Sequence, residues 1–361
     1  MSGTSLDGID VACCRFSPSF ELLGQHHLPM PDALRQTLLT LQTPSENEIH
    51  VAMQAAQSLA QCYHQSVTDL LHQLRIDTDE VRALGCHGQT IRHRPAEGYS
   101  LQLNQPALLV ELCDIDVIVD FRSRDIAAQG QGAPLVPAFH EAVFRKPGTH
   151  RVIVNIGGMA NLTDLPDHGS TKGFDCGPGN SLMDSWIQQE RGLQFDDNGR
   201  WAASGCVIPR LLEQLLAHPF FAASPPKSCG REEFNLAWLH QYLTRQENPA
   251  DVQTTLLELT TRSITQAIKH ECRGSKEIYV CGGGAKNQTL MSRLTALLPE
   301  HQVSTSDQLG LPVDAVEAAA FAWLAQAFIA GDPGNLASVT GAKGPRILGA
   351  LYPARIRPPI I

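Results

Sequence analysis

Two stretches of this chain repeat one local plan, and that repetition constrains the fold more than any other feature. Near the start, the glycine turn MSGTSLDGID leads into Ile9 to Phe16 and Phe20 to His26, which read as the strands of a hairpin. At Arg151 the plan restarts, because RVIVNIGGMANLTDL is a strand, a glycine turn and a second strand. In the first half the hairpin is followed by a helical stretch from Glu46 to Arg75, then by the apolar strands Arg82 to Cys86 and Asp116 to Phe121 with helical segments between them. In the second half Val252, Leu256, Leu259, Ile264 and Ile268 recur at helical spacing, and Glu277 to Cys281 is a short strand entering CGGGAKN. A helix after Pro134, within Ala133 to Phe144, joins the halves. The pattern predicts an α/β protein of two domains: residues 1–135, with 336–361 returning to them, and residues 136–335.

Length and composition agree with that division and exclude several partners. A chain of 361 residues is too long for one simple core. Its 43% hydrophobic and 18% charged residues are those of a globular protein, and no apolar run reaches the ~18 residues of a membrane span. The net charge of -9 argues against a nucleic-acid backbone as partner. The ten cysteines are scattered and form no Cys-x-x-Cys pair, so reduced thiols and a cytoplasmic location are expected. None of the fourteen histidines falls in a metal-ligand spacing, and no metal-binding residue is assigned.

Gly173 to Asp184, GFDCGPGNSLMD, places Asp175 directly before a glycine-rich turn that opens a helix, with Asn180 or Ser181 as its expected cap. A cap alone would explain the Asn, Ser and Gly. Three further glycine turns give the segment its company. In the first turn Gly3, Thr4, Ser5, Leu6, Asp7, Gly8 and Asp10 offer amides and hydroxyls to an anion. The second is Asn155 to Asn161, with Gly157 and Gly158. The third, Gly282, Gly283 and Gly284, joins a strand to a helix ahead of Asn287, leaving bare backbone for a phosphate or a flat base. Each turn singly is ordinary hairpin geometry. None fits a Walker or dinucleotide-binding pattern, so those readings fall.

MSGTSLDGID, CHGQTIRH, DFRSRDIAAQGQGAPLVPAFH, NIGGMANLT, GFDCGPGN and VCGGGAKN together resemble the anhydro-N-acetylmuramic acid kinases of bacterial cell-wall recycling. The resemblance runs along nearly the whole chain. It implies two actin-like, ribonuclease H-like domains with a nucleotide cleft between them, within the superfamily of actin, sugar kinases and Hsp70-type ATPases. It also implies ATP and Mg2+, an amino-sugar substrate, a homodimer, and no nucleic-acid or membrane partner. The implied reaction uses water to open 1,6-anhydro-N-acetylmuramic acid and phosphorylates the released O6.

On the matching positions, the resemblance makes Asp175 the general base and the glycine turns the nucleotide contacts, the adenosine among them. It makes Gln89, Thr90, Arg122 and Glu317 the sugar contacts. Bland alternatives stand beside these: Glu317 also suits a helix N-terminus, and Arg122 could pair with Asp120 or Asp125. Two acidic positions of the wider superfamily are neutral here, Met1 and Asn155, so Mg2+ is expected on phosphate oxygens and water near Asp7, Asp10 or Asp175. The chain starts inside the family's opening motif, and the strand leading into it is expected to lie upstream or to be absent. The rival readings are an ordinary amino-sugar kinase and a non-catalytic ATP-binding module of the same superfamily.

Overall fold

In the computed structural model, which describes residues 1–3, 6–230, 232–244 and 246–354, the chain divides into two units. One comprises Met1–Phe139 with Ala315–Ile361, the other His140–Asp314. The chain re-enters the first unit at Ala315, where the sequence placed the return at 336.

The first unit opens with the expected hairpin, β1 (Gly8–Arg15) antiparallel to β2 (Glu21–Pro29). The short helix α1 (Asp32–Thr40) follows, and then α2 (Glu48–Leu74). The buried face of α2 is Ala52, Ala55, Ala56, Leu59, Ala60, Tyr63, Val67, Leu70 and Leu71, a stripe at helical spacing. Beyond it lie β3 (Leu84–Gly85), β4 (Gln89–Arg94), β5 (Tyr99–Leu103), α3 (Pro106–Cys113), β6 (Val117–Val119) and α4 (Ser123–Ala127). The motif CHGQTIRH, which carries no strand signal in the sequence, runs into the antiparallel pair of β4 and β5. The exposed residues of this pair are His93 and Arg94 on β4 and Tyr99 and Leu101 on β5, so the polar strand lacks apolar alternation and the alternating strand turns apolar residues outward. The helix expected after Pro134 is α5 (Val136–Phe144).

In the second unit β7 (Arg151–Ile156), β8 (Met159–Leu165) and β9 (Lys172–Pro178) form an antiparallel meander. After it come α6 (Ser181–Arg191), α7 (Pro209–Leu216), α8 (Pro219–Ala222), α9 (Leu236–His240) and α10 (Pro249–Glu271), then β10 (Glu277–Cys281), α11 (Gln288–Leu297) and β11 (Gln302–Thr305). The sheet order is β11-β10-β7-β8-β9, with β10 parallel to both β7 and β11. Counted along the chain this is third, second, first, fourth, fifth with only the second strand reversed. That is the ribonuclease H-like topology of an actin-like domain. Strand β7 lies inside the sheet, and Val152, Ile153, Val154 and Ile156 are all buried, as a central strand covered on both faces requires. Helix α10 starts at Pro249 behind Asn248, whose side chain accepts from the Ala250 N–H, and buries Val252, Leu256, Leu259, Ile264 and Ile268.

The return to the first unit begins with α12 (Val316–Ala330) and continues through α13 (Ala337–Thr340) to β12 (Ala350–Tyr352), which pairs antiparallel with β6. Strand β6 also pairs in parallel with β3. Helix α12 is apolar on nearly every side and packs its backbone close to Gly85, where any Cβ would collide with the Phe321 carbonyl. The cysteines are free thiols. Among the described residues, no helix is long and apolar enough to cross a membrane.

Candidate active site

Asp175 lies on β9 opposite Asn161 of β8, where the register slips and Cys176 becomes an extra residue. A bulge of this kind bends the strand and re-aims its side chains. The other edge of β9 is held by the segment before α9: the Asp175 N–H donates to the Lys227 carbonyl at 3.1 Å, and the Cys229 N–H donates to Asp175 Oδ2 at 3.0 Å. Burial pushes the Asp175 carboxyl up to about 6, against the Cys229 N–H and the Lys227 ammonium, which pull it down. The group is thus ionised at neutral pH yet a stronger base than a solvated aspartate. Lys227 and Cys229 lie more than fifty residues away in sequence, and no motif had marked them.

The glycine turns of the second unit gather at one edge of its sheet, the carboxyl ends of β7, β9 and β10. Open α/β sheets bind ligands at that edge. The turn between β7 and β8 meets the turn between β9 and α6: the Asn180 N–H donates to the Gly157 carbonyl at 2.8 Å, and the Gly179 and Ser181 N–H groups donate to the Gly158 carbonyl at 3.0 and 3.1 Å. Expected as a cap, the Asn180 side chain instead donates to the Ile156 carbonyl at 3.2 Å, and α6 has no side-chain cap. Main-chain carbonyls satisfy its first amides, a solution side-chain propensity does not reveal. From α10 the buried Thr260 hydroxyl lies 3.0 Å from the carbonyls of both Pro178 and Gly179, fixing the turn from behind.

The residues of these turns fit a nucleotide. A Cβ on Gly157 would meet nothing nearer than 3.7 Å and one on Gly283 nothing nearer than 3.6 Å, so both present bare backbone toward open space. Gly282 and Gly284 are constrained differently. At Gly282 φ is +78° and a Cβ would strike Asn155, while at Gly284 it would strike Ile156. Asn287 caps α11, its side-chain oxygen accepting from the Leu290 N–H at 3.0 Å.

In the first unit, Thr4 and Ser5 lie outside the described residues. Leu6 has φ +55° and its side chain is wholly buried in the core, which leaves only its backbone for an anion. Asp10 Oδ1 is 2.7 Å from His27 Nδ1, and the His27 ring leaves no room for a Cβ at Gly8. Asp7 is exposed and its carbonyl accepts from the Met30 N–H, while Gly3 closes a turn to the Leu6 N–H at 3.3 Å. Among the described residues, no group of three or more His, Cys, Asp or Glu side chains could hold a metal ion.

The same unit brings Arg122, His87 and Glu317 together. Arg122 hydrogen-bonds neither Asp120 nor Asp125; its Nη1 donates to the Gly132 carbonyl at 2.7 Å, and its Nε and Nη2 reach His87 Nε2. Burial lowers the guanidinium to about 10, while Glu317 and Asp125 hold it up, so it stays charged. Burial, then Arg122, keeps His87 well below its ordinary value and therefore neutral. Phe321, one turn after Glu317 on α12, stacks on His87 with ring centroids 4.5 Å apart. Asp125 is structural: it accepts from Gly132, Asn335 and Thr340 and ties the loop at Gly132 to Asn335 and the end of α13. Gln89 is buried at the start of β4, and the Thr90 hydroxyl accepts from Gln102 at 3.2 Å. Arg92, part of the same polar string, is taken by Glu48 at 2.6 Å.

A sequence profile described as anhydro-N-acetylmuramic acid kinase matches residues 1–354. The chain belongs to this family. Among similar kinases of that name, one from Nitrosospira multiformis is 55% identical over 98% of both chains. One from Thiobacillus denitrificans is 52% identical over 98% of this chain and 96% of its own. A third, from Pseudomonas syringae pv. tomato, is 50% identical over 98% of both. The activator of 2-hydroxyisocaproyl-CoA dehydratase from Clostridium difficile, solved with bound ADPNP, resembles this kinase at TM-score 0.41 and 11% identity, over 85% of this chain and 89% of that one.

Proposed function

We propose that this chain opens the 1,6-anhydro bridge of 1,6-anhydro-N-acetylmuramic acid with water and phosphorylates the released O6, giving N-acetylmuramic acid 6-phosphate and ADP. The observation that carries the reading is Asp175: a partly buried carboxylate, raised to about 6, at the edge of a sheet whose glycine turns present bare backbone. The family membership supplies the substrate class.

Asp175 takes the proton of the attacking water. The C1–O(water) bond forms as C1–O6 breaks, and O6 leaves as the nucleophile for phosphorus. Bound ATP supplies the phosphoryl group that captures O6, in place of the general acid that an inverting glycosidase carries, with Mg2+ neutralising the phosphates. Cys229 fixes Oδ2 of the base, which assigns Oδ1 to the water. Gly157, Gly158, Gly282, Gly283 and Gly284 hold the nucleotide through their backbone in the second unit, with Asn287 on the adenosine side. Gly3 to Asp10 offer the equivalent turn in the first. Gln89, Thr90, Arg122 and Glu317 bind the sugar, Arg122 being suited to its lactyl carboxylate. We also expect a cytoplasmic homodimer, which light scattering and cell fractionation read directly.

The test uses ATP and 18O-labelled water with either the anhydro sugar or its ring-opened form. The expected result is phosphorylated product from the anhydro sugar, labelled at the anomeric oxygen beyond the exchange measured for the ring-opened sugar. Asp175→Asn should bind the sugar but turn over about 10²- to 10⁴-fold more slowly. Equal phosphorylation of both sugars would point to an ordinary amino-sugar kinase, and near-normal turnover by Asp175→Asn would remove it as the base.

A further inference from the structure

The mechanism above leaves Lys227 unused, yet this residue sits in the segment that clamps β9. Its carbonyl receives the Asp175 N–H, and two residues later the Cys229 N–H returns to the carboxylate, so residues 227–229 meet Asp175 through both its backbone and its side chain. The Lys227 ammonium is half-buried, donates to the Phe220 carbonyl at 3.1 Å and lies 4.7 Å from the centroid of the Phe220 ring. Those two contacts fix a flexible side chain in one place, on the residue whose backbone carbonyl receives the Asp175 N–H. Phe220 itself belongs to an aromatic cluster with Phe221, Phe234 and Trp238, and Phe221 fills the space a Cβ on Gly177 of β9 would take.

We propose that Lys227 is a positioning residue for the reaction: anchored on Phe220, its ammonium sets the proton affinity of Asp175 while its backbone holds the strand. The proposal rests on the assignment of Asp175 as the base. Apolar surroundings alone would push the carboxylate into its protonated, inactive form near neutral pH, and a cation fixed nearby offsets that. Among the described residues, the other charged or titratable groups around the pair are Cys176 on β9, Cys229, Glu232 and Glu233 in the clamping segment, His218 ahead of α8, which faces Glu233 at 3.8 Å, and Glu271 at the end of α10. Cys176 and Cys229 are held as neutral thiols by burial. Glu271, Glu232 and Glu233 carry charge of the wrong sign to favour the ionised base. Among the described residues of this group, Lys227 is the cation that acts on Asp175.

The experiment is the pH dependence of kcat/KM in Lys227→Met, Lys227→Gln and Lys227→Arg, with Asp175→Asn alongside. Met removes charge and donor, Gln keeps a donor without charge, and Arg keeps both. The acid limb should move to higher pH by about half a unit to one unit in Met and Gln, a loss of about three- to tenfold on that limb, and stay in place in Arg. An unmoved limb in Met and Gln, or a uniform loss at all pH values, overturns the proposal, because a structural role alone would lower the whole profile. If Asp175→Asn is itself active, the failure lies in the assignment of the base and not in Lys227. Gln covers the case in which Met disturbs the packing on Phe220.

Discussion

Arg122 donates to a histidine: its Nη2 lies 2.8 Å and its Nε 3.2 Å from Nε2 of His87. The guanidinium cannot give up its proton under these conditions, so His87 Nε2 is the acceptor and the ring carries its hydrogen on Nδ1. With a third bond to the Gly132 carbonyl, three of the five N–H groups hold the side chain among the described residues. Arg122→Lys loses the planar fork and should raise the KM for the anhydro sugar by about 10- to 100-fold, the worth of one or two charge-assisted hydrogen bonds. The KM for ATP should change little. Initial-rate kinetics with each substrate varied in turn checks this, and an equal rise in both would place Arg122 elsewhere.

Asp175 should cost the protein stability. An unfolded aspartate titrates near ~4, whereas burial holds the folded one at about 6. Below about pH 4 both states keep the proton and the residue costs nothing. Between about 4 and 6 only the folded state keeps it, so stability declines as pH rises, and above about 6 the full cost is present. Two pKa units correspond to about 3 kcal/mol, reduced to roughly 1–3 for a partly solvated group. Asp175→Asn should therefore be more stable than the parent at pH 8 by that amount, with the difference shrinking toward pH 4. Urea unfolding across this range measures it, and a gap that does not vary with pH would contradict the burial argument.

Two glycines of similar appearance should respond oppositely to alanine. Gly157→Ala puts its methyl into open space, so the melting temperature should hold within about 1 °C while the KM for ATP rises about tenfold or more. Gly282→Ala forces φ +78° on an alanine and drives its methyl into Asn155, which should cost about 1–3 kcal/mol of stability. Thermal melts beside ATP titrations separate the two, and a destabilised Gly157→Ala would mean that this turn is structural.

Much of the fold was legible because it is written in local patterns. The hairpin of β1 and β2, the stretch of α2, the stripe along α10 and the strand at Glu277–Cys281 all announce themselves through periodicity. The pair β4 and β5 did not, because β4 is mostly polar and β5, though it alternates, exposes its apolar Tyr99 and Leu101. The neighbourhood of Asp175 was legible only in part. GFDCGPGN marks the carboxylate, but its environment comes from the carbonyl of residue 227 and the N–H of residue 229, groups that every non-proline residue carries. Likewise His87 and Arg122 stand in separate motifs, and only the fold shows that one holds the other.

The seating of α6 on the first glycine turn has an electrical consequence. Each peptide group is planar and trans, so when the Gly157 carbonyl points back at the Asn180 N–H, the N–H of Gly158 in the same peptide points the opposite way. The helix dipole is thereby handed on by one peptide unit. Its positive pole, worth about 0.3–1 kcal/mol to a nearby anion, is displaced from the first residues of α6 to the Gly157–Gly158 turn. A phosphate at that turn would meet an N–H polarised, through one hydrogen bond, by the amino end of α6.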